Sequence, residues 1–337
     1  MINCGAVKLA TGANLPLFGL GTWLSSNPTA LTAALKTALD VGYRLIDTAY
    51  VYGNEAVIGK VLQEYFTSGK LKREDIFITT KLPFIAHKPD EIEGVVKKQL
   101  KDLQVDYFDL YLIHCPCPCK HRPENTPDNY KPLLEDGRLV PELVDHLETW
   151  KVLEDLYKKG ILKAIGLSNF NEEQIQNILD HAAVKPHNLQ VETHLYWPQK
   201  ELHELCKKNN ITMTSYATLG SPGRATFNPN FTWPTGEPMK DPLVLQLAGK
   251  YKKSPAQILL RHMTQRGICI IPKSVNPGRI LENCNIFDFK LTEEEIKQLD
   301  NVEKRIRLFL FDMFFDHPWY PFKDVDRSKM KRIYLNE

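Results

Sequence analysis

The sequence predicts one α/β domain built as a (β/α)₈ TIM barrel, and three observations support this fold class. Short apolar runs alternate with amphipathic helical patterns along the chain. Eight such runs occur in order, with no linker between them. Polar residues follow most of the runs, as expected where strand ends share one mouth. Because parallel strands joined by right-handed helical crossovers bury both faces, eight units close most naturally into a barrel.

The chain begins with a predicted β-hairpin and a capped helix. Residues 6–9 are strand-like and lead into a turn at 11–14. Asn27 is a helix cap, Pro28 suits the first turn, and Gly42 ends the helix. One face of this helix, spaced i, i+3, i+4, is formed by Leu31, Ala34, Leu35, Ala38 and Leu39.

Eight short strands are predicted after the hairpin. They cover residues 18–20, 45–46, 76–79, 108–113, 164–167, 189–191, 212–215 and 268–271. Two irregular stretches, 115–140 and 221–241, follow strands and are therefore expected on the catalytic face. We expect a single domain over residues 1–337, with a core at 6–322 and a C-terminal tail at 323–337.

Polar side chains recur at the ends of the predicted strands. They are Asp47, Lys81, His114, Ser168, Asn169, Gln190, Tyr216, Lys273 and Ser274. Any one of them could simply solvate a loop. Their recurrence at most strand ends favours a shared site instead.

The composition favours a small ligand over a macromolecular one. The chain has 43 Lys and Arg against 41 Asp and Glu, a net charge of only +2, so no strong field attracts nucleic acid or a membrane. The first residues lack a secretory signal pattern, and the apolar cluster at 308–315 is too short to span a bilayer. Seven cysteines without framework spacing indicate reduced thiols. We expect a cytoplasmic protein and, without coiled-coil patterns, a monomer.

Four segments, in order, carry a family resemblance. They are GYRLIDTAYVYGNE at 42–55, LIH at 112–114, LEDLYKKG at 153–160 leading into IGLSNF at 165–170, and IPKSVNPGRILEN at 271–283. Together they resemble the aldo-keto reductase superfamily, in particular aldose and aldehyde reductases, nearly to residue 322. The resemblance implies an NADP-dependent oxidoreductase that reduces aldehydes and ketones to alcohols by hydride transfer from NADPH.

The resemblance implies a catalytic group of Tyr52, Lys81, His114 and Asp47. Tyr52 matches the proton donor, and a nearby ammonium favours phenolate, so Lys81 is expected to lower the pKa of Tyr52. Asp47 is expected to pair with Lys81, and His114 to orient the substrate carbonyl. Alone, Asp47 and Lys81 could be a structural ion pair and His114 a core histidine. Spacing does not choose between Tyr50 and Tyr52, and the family match selects Tyr52.

Cofactor contacts are implied at matching positions. Ser168, Asn169 and Gln190 match the surroundings of the nicotinamide, and Tyr216 matches the ring that stacks on it. Lys273, Ser274, Asn276 and Arg279 match a pocket for the adenosine 2′-phosphate, which indicates NADPH. The remaining matches are Gly21, Thr22, Trp23, Asp47, Leu219, Ser221, Val275, Glu282 and Asn283. A Rossmann site at Gly19 to Trp23 is rejected, because only two of its three glycines are present and no helix or acidic residue follows at the expected place.

The expected substrate pocket is aromatic, under a lid formed by the C-terminal segment 308–322. Its predicted residues are Trp23, Tyr50, His114, Cys115 and Phe309. Cys115 opens a Cys-Pro-Cys-Pro-Cys run and is either an accessible low-pKa thiol or an inert, partly buried one. No metal is expected, although a three-thiolate site in this run is a minor alternative.

The chain departs from its relatives at one further place, and one alternative function stays open. Leu24 and Gly223 stand where many relatives form a Lys–Asp latch over the cofactor, so weaker loop closure is expected. A non-catalytic, cofactor-binding member of the same superfamily is the alternative function, and the complete catalytic group weighs against it.

Overall fold

The computed structural model describes residues 5–226 and 233–329, so parts of the 221–241 stretch and of the C-terminal tail lie outside it. The strands are β1 (Ala6–Lys8), β2 (Asn14–Pro16), β3 (Leu20–Gly21), β4 (Leu45–Asp47), β5 (Phe77–Leu82), β6 (Leu110–Ile113), β7 (Leu134–Glu135), β8 (Arg138–Leu139), β9 (Ile165–Ser168), β10 (Asn188–Glu192), β11 (Thr212–Tyr216) and β12 (Cys269–Ile270). The helices are α1 (Pro28–Val41), α2 (Glu55–Thr67), α3 (Pro89–Leu103), α4 (His146–Lys158), α5 (Glu172–His181), α6 (Lys200–Lys208), α7 (Pro242–Tyr251), α8 (Pro255–Gln265), α9 (Pro277–Cys284) and α10 (Glu293–Asp300).

Eight strands form one parallel sheet, in the order β3-β4-β5-β6-β9-β10-β11-β12. The sheet closes on itself, because parallel bridges join Phe18 to Ile270 and Gly21 to Lys273. The amide of Gly19 donates to the carbonyl of Ile270 at 2.9 Å across the same seam. The predicted (β/α)₈ barrel is therefore confirmed.

The hairpin β1–β2 covers the amino-terminal end of the barrel. Its antiparallel strands pair Val7 with Leu15. Leu9 and Leu15 are buried in the cluster that fills the barrel, together with Leu45, Phe77, Leu110, Leu112, Ala164, Cys269 and Ile271. With this end covered, the carboxyl ends of the strands are left to form a site.

Helix α1 begins and ends as its sequence predicts. The Asn27 side chain accepts a hydrogen bond from the amide of Ala30, Pro28 occupies the first turn, and Gly42 adopts φ 108°. Such a φ favours glycine, which has no Cβ to clash. The predicted apolar face is the buried one. Within the described part of the chain, no helix is long and apolar enough to cross a membrane.

Two elements differ from the sequence-based prediction. Strand β5 continues past Thr79 to Leu82, although Thr80 and Lys81 are polar. Both side chains are completely buried, because hydrogen-bond partners inside the barrel and under α2 receive them. The stretch at 115–140 is not wholly irregular, since it contains the β7–β8 hairpin.

Candidate active site

The carboxyl ends of the barrel strands bring the predicted polar residues to one rim. Asp47, Ser168 and Tyr216 are the last residues of β4, β9 and β11. Lys81 and Gln190 lie near the ends of β5 and β10. His114, Asn169, Lys273 and Ser274 follow β6, β9 and β12. The strand ends of a barrel therefore supply all of these residues to a single face.

Lys81 is the centre of the candidate catalytic group. Its Nζ lies 2.7 Å from Oδ1 of Asp47 and donates to the carbonyl of Thr48 at 2.8 Å. The Tyr52 hydroxyl oxygen is 3.4 Å from the same nitrogen. Gln190 donates to the other carboxylate oxygen of Asp47 at 2.7 Å. Both oxygens of Asp47 are thus occupied, which fixes the carboxylate and the ammonium in one geometry.

The protonation of Tyr52 differs from the sequence-based expectation. Burial, and then the negative charge of Asp47, raise the pKa of Tyr52 well above its ordinary value. Burial lowers the pKa of Lys81, while the charge of Asp47 opposes that change. The expected lowering of the Tyr52 pKa by Lys81 is therefore wrong for the protein alone. Desolvation of the phenolate outweighs the attraction of the nearby ammonium.

His114 lies beside Tyr52, with the two ring centroids 5.8 Å apart. Burial lowers the pKa of His114 well below its ordinary value, and the positive charge of Lys81 lowers it further. Its Nδ1 is buried and has no hydrogen-bond partner among the described residues. A neutral imidazole carries one N–H donor, so His114 can donate to a carbonyl oxygen without adding a charge.

Asn169 joins the residues predicted to surround the nicotinamide. Its Nδ2 donates to the carbonyl of His114 at 2.8 Å and to Oγ of Ser168 at 3.0 Å. Its Oδ1 accepts from the Tyr216 hydroxyl at 2.8 Å, and its amide donates to the carbonyl of Gln190 at 3.0 Å. Asn169 therefore links Ser168, Gln190 and Tyr216 to the backbone that carries His114.

Asn54 is a site residue that the sequence reasoning missed. It is 4% exposed and donates to the carbonyl of Thr22 at 2.9 Å, while its Oδ1 accepts from Thr48 at 3.2 Å. Thr22 in turn donates to the carbonyl of Asp47 at 2.9 Å. Asn54 thus ties the predicted Gly21 to Trp23 loop to the catalytic strand end. Its place in the motif between Tyr52 and Glu55 was the available signal.

The predicted phosphate-binding residues gather at the start of α9. Asn276 caps the helix by accepting from the amide of Arg279 at 3.0 Å, and Oγ of Ser274 accepts from the amide of Asn276 at 3.1 Å. Burial lowers the pKa of Lys273. Within the described ranges, no salt bridge joins Lys273 or Arg279 to a carboxylate. Val275 packs on the core and Asn283 is buried, whereas Glu282 is exposed.

An aromatic wall faces the site. The Phe309 ring lies 5.5 Å from that of Trp23, 5.6 Å from that of Tyr216 and 5.7 Å from that of Trp233. The C-terminal segment therefore reaches the predicted stacking tyrosine. After β11, Leu219 packs on the core and Ser221 has φ 44°, which turns the chain away from the strand.

The hydroxyl of Tyr50 makes its hydrogen bonds outside this aromatic wall. Its hydroxyl donates to the carbonyl of Pro127 at 2.9 Å and accepts from the amide of Tyr130 at 3.0 Å. Both partners belong to the long segment after β6. Tyr50 and Tyr52 lie in one 3-10 turn, but the Tyr50 hydroxyl bonds to that segment whereas the Tyr52 hydroxyl lies near Lys81.

The hypothesis of an accessible low-pKa thiol at Cys115 is wrong. Cys115 is 3% exposed and packs in an apolar cluster with Ile85, Phe314 and Tyr320. Burial raises the pKa of its thiol to about 12. The alternative of an inert buried thiol describes the structure, because an apolar environment disfavours the thiolate. Among the described residues, no group of three or more His, Cys, Asp or Glu side chains is arranged to hold a metal ion.

Comparisons with known proteins agree with this geometry. The model of the aldo/keto reductase family matches residues 17–304. The chain is 45% identical over 330 residues to aldo-keto reductase family 1 member A1 of Bos taurus, covering 94% of this chain and 98% of that protein. The Homo sapiens protein of the same name is 44% identical over 330 residues, with the same two coverages of 94% and 98%. The structure of the aldose reductase from Schistosoma japonicum matches with a TM-score of 0.85 and 42% identity, covering 95% of this chain and 99% of that one. The chain therefore belongs to the aldo/keto reductase family, the oxidoreductases that reduce carbonyl compounds.

Proposed function

We propose that this protein reduces aldehydes and ketones to alcohols with NADPH, using Tyr52 as the general acid. The observation that carries the proposal is the position of the Lys81 ammonium, 2.7 Å from Asp47 and 3.4 Å from the Tyr52 hydroxyl oxygen. A phenol, an ammonium and a carboxylate in this order form an acid whose conjugate base is stabilised as it appears.

Each member of the group has one chemical task. Tyr52 is protonated at neutral pH, because burial and Asp47 raise its pKa, so its proton is available to the substrate oxygen. Lys81 stabilises the phenolate left behind. Asp47, held by Gln190, keeps Lys81 charged and in place. Neutral His114 donates a hydrogen bond to the same substrate oxygen and orients it.

The residues at the start of α9 fit a dianionic phosphate. Partial burial lowers the pKa of Lys273 although the residue is exposed, no described carboxylate offsets its charge, and Arg279 lies on the first turn of a helix. A helix amino terminus disfavours cations but favours anions. A bound phosphate therefore offsets both the unpaired charge of Lys273 and the unfavourable position of Arg279. Ser168, Asn169, Gln190 and Tyr216 form the complementary group at the opposite end of the cofactor. When bound, the reduced nicotinamide supplies the hydride that reaches the carbonyl carbon.

Consumption of NADPH tests the proposal. Purified protein is incubated with NADPH and a panel of aromatic, aliphatic and sugar aldehydes and of ketones, and absorbance at the nicotinamide band is followed. We expect oxidation of NADPH with at least one aldehyde. NADPH binding without oxidation on any carbonyl would instead identify the non-catalytic, cofactor-binding alternative. We also propose a cytoplasmic monomer, for which a light-scattering mass near 38.7 kDa is expected.

A further inference from the structure

Glu192 is a buried carboxylate that the proposed mechanism does not use. It is the last residue of β10, at the same rim as the candidate catalytic group, and it is 1% exposed. Its Oε1 lies 2.9 Å from Nε2 of His194 and accepts from the amide of Leu308 at 2.5 Å. Its Oε2 accepts from the amide of Phe309 at 3.0 Å. One side chain therefore holds two successive amides of the C-terminal segment.

These amides position an aromatic side chain of the site. Phe309 carries the second amide, and its ring touches those of Trp23 and Tyr216. The same segment is also held two residues before Leu308, where the amide of Ile306 donates to the carbonyl of Tyr196 at 3.0 Å. The C-terminal segment thus runs along the residues that follow β10. Glu192 fixes this segment at the point where the Phe309 ring enters the site.

A carboxylate is the group this arrangement requires. Three N–H groups converge on two oxygens, and an ionised carboxylate is an acceptor only, with about four lone-pair sites. A glutamine of the same shape would place an NH₂ against at least one of these donors. A buried donor without an acceptor is unfavourable, so the amide variant would displace the segment.

We propose that Glu192 is a positioning residue that sets the wall of the carbonyl pocket by fixing Phe309. This proposal rests on the proposed function. Glu192 acts on substrate binding through the aromatic ring and not on proton or hydride transfer. Its loss therefore changes KM for carbonyls that reach the ring, while kcat and NADPH affinity are maintained.

The test compares E192Q, F309A and the double variant with the wild-type protein. The matched control is E154Q. Glu154 of α4 is another buried glutamate, and it accepts a hydrogen bond from the amide of Val184 at 2.7 Å. For a bulky aromatic aldehyde, we expect E192Q to raise KM about tenfold, the size of losing one hydrogen bond to a charged group. The kcat and the Kd for NADPH should stay within about twofold, and E154Q should leave all three constants unchanged.

The double variant separates positioning from general destabilisation. If Glu192 acts through Phe309, E192Q has little further effect on KM once the ring is absent in F309A. Equal effects of E192Q in both backgrounds, or a fall in kcat at constant KM, would overturn the proposal. Should E192Q not fold, E192D, which keeps the charge but is one methylene shorter, carries the same cycle.

Hydrogen exchange tests, independently of activity, whether Glu192 holds the amides of Leu308 and Phe309. The amides of Leu308 and Phe309 should exchange faster in E192Q than in the wild-type protein, and the E154Q control should leave them protected. Unchanged protection in E192Q contradicts the inference even if no carbonyl is found that the protein reduces. In contrast, faster exchange together with an inactive wild-type protein would overturn the proposed function but would still show that Glu192 holds these two amides.

Discussion

Lys81 and Asp47 together receive their partners from three separate stretches of chain. Asp47 ends β4 and Thr48 follows it, Tyr52 lies in the next turn, and Gln190 reaches Asp47 from β10. The position after an apolar run marks Asp47, Lys81 and Gln190 as candidates, whereas the choice of Tyr52 over Tyr50 comes from the family resemblance. Spacing does not predict the direction of the Tyr52 pKa, which depends on how completely the phenol is removed from water. The roles assigned to these residues stay predictions.

Tyr52→Phe tests the proton donor. Removal of the hydroxyl should lower kcat by about a hundredfold to ten-thousandfold, the usual contribution of a general acid. NADPH binding, followed by fluorescence quenching, should not change. Tyr65→Phe is the control, since it removes another tyrosine hydroxyl, bonded to Asp40 between α1 and α2. Undiminished turnover by Tyr52→Phe would reject the assignment.

Lys273→Met tests the choice of cofactor. The variant keeps the length of the side chain and removes its charge, so the Kd for NADPH should rise by about tenfold or more through loss of a charged contact. The Kd for NADH should change little, because it has no 2′-phosphate. Lys290→Met, at an exposed lysine before α10, is the control. A parallel loss of affinity for both cofactors would show that Lys273 does not read the phosphate.

At the scale of elements, local patterns predict helices and strands but not the pairing of distant segments. The cap at Asn27 and the apolar face of α1 are local and are confirmed. The β7–β8 hairpin is likewise a local pairing, around Asp136 and Gly137, a turn signal that the sequence reasoning missed. The extension of β5 instead depends on contacts far along the chain, and the sequence did not show it. The same is true of Cys115, whose burial comes from the C-terminal segment packed against it.

The long segment after β6 is anchored to the turn that carries Tyr52. Tyr50 holds it with two hydrogen bonds, to Pro127 and Tyr130. Pro127 lies against Gly94 of α3, where a Cβ would come within 2.8 Å of the proline ring. The absence of a side chain at Gly94 therefore permits the close approach of the segment.

Tyr50→Phe should release this anchor. The amide of Tyr130 would lose its acceptor, so its hydrogen exchange should accelerate by about tenfold, in line with the loss of one hydrogen bond. Because the turn also carries Tyr52, kcat should fall, but far less than in Tyr52→Phe. Exchange at Tyr130 that matches the wild type would show that the anchor lies elsewhere. Tyr65→Phe again controls for the loss of a tyrosine hydroxyl.

At the scale of the whole molecule, buried histidines couple stability to pH. His87 is 1% exposed, and neither ring nitrogen has a hydrogen-bond partner among the described residues. Burial, then the nearby His146 and His317, lower its pKa to about 3. The unfolded chain takes up a proton near pH 6.5 that the folded protein excludes, so the stability of the fold falls as the pH drops below 6.5 and does not depend on this group above that pH.

His87→Gln should make the protein less sensitive to acid. In the wild type, exclusion of this proton removes up to about 1.4 kcal/mol of unfolding free energy for each pH unit between 6.5 and 3. Urea unfolding at several pH values should show a shallower loss for the variant over that window. His181→Gln, at an exposed histidine on α5, should keep the wild-type slope. Identical slopes for His87→Gln and the wild type would contradict the prediction.

The seam of the barrel joins strands that the ribosome makes first and last. Gly21 and Lys273 meet there, and a Cβ on Gly21 would lie 2.4 Å from the carbonyl oxygen of Ile271. Residues proposed to bind NADPH lie on both sides of this seam. A nascent chain that lacks β12 therefore has no complete cofactor site, so NADPH gives no help to the early steps of folding. NADPH instead stabilises the protein after folding, because it binds only the closed barrel and so lowers the population of opened forms.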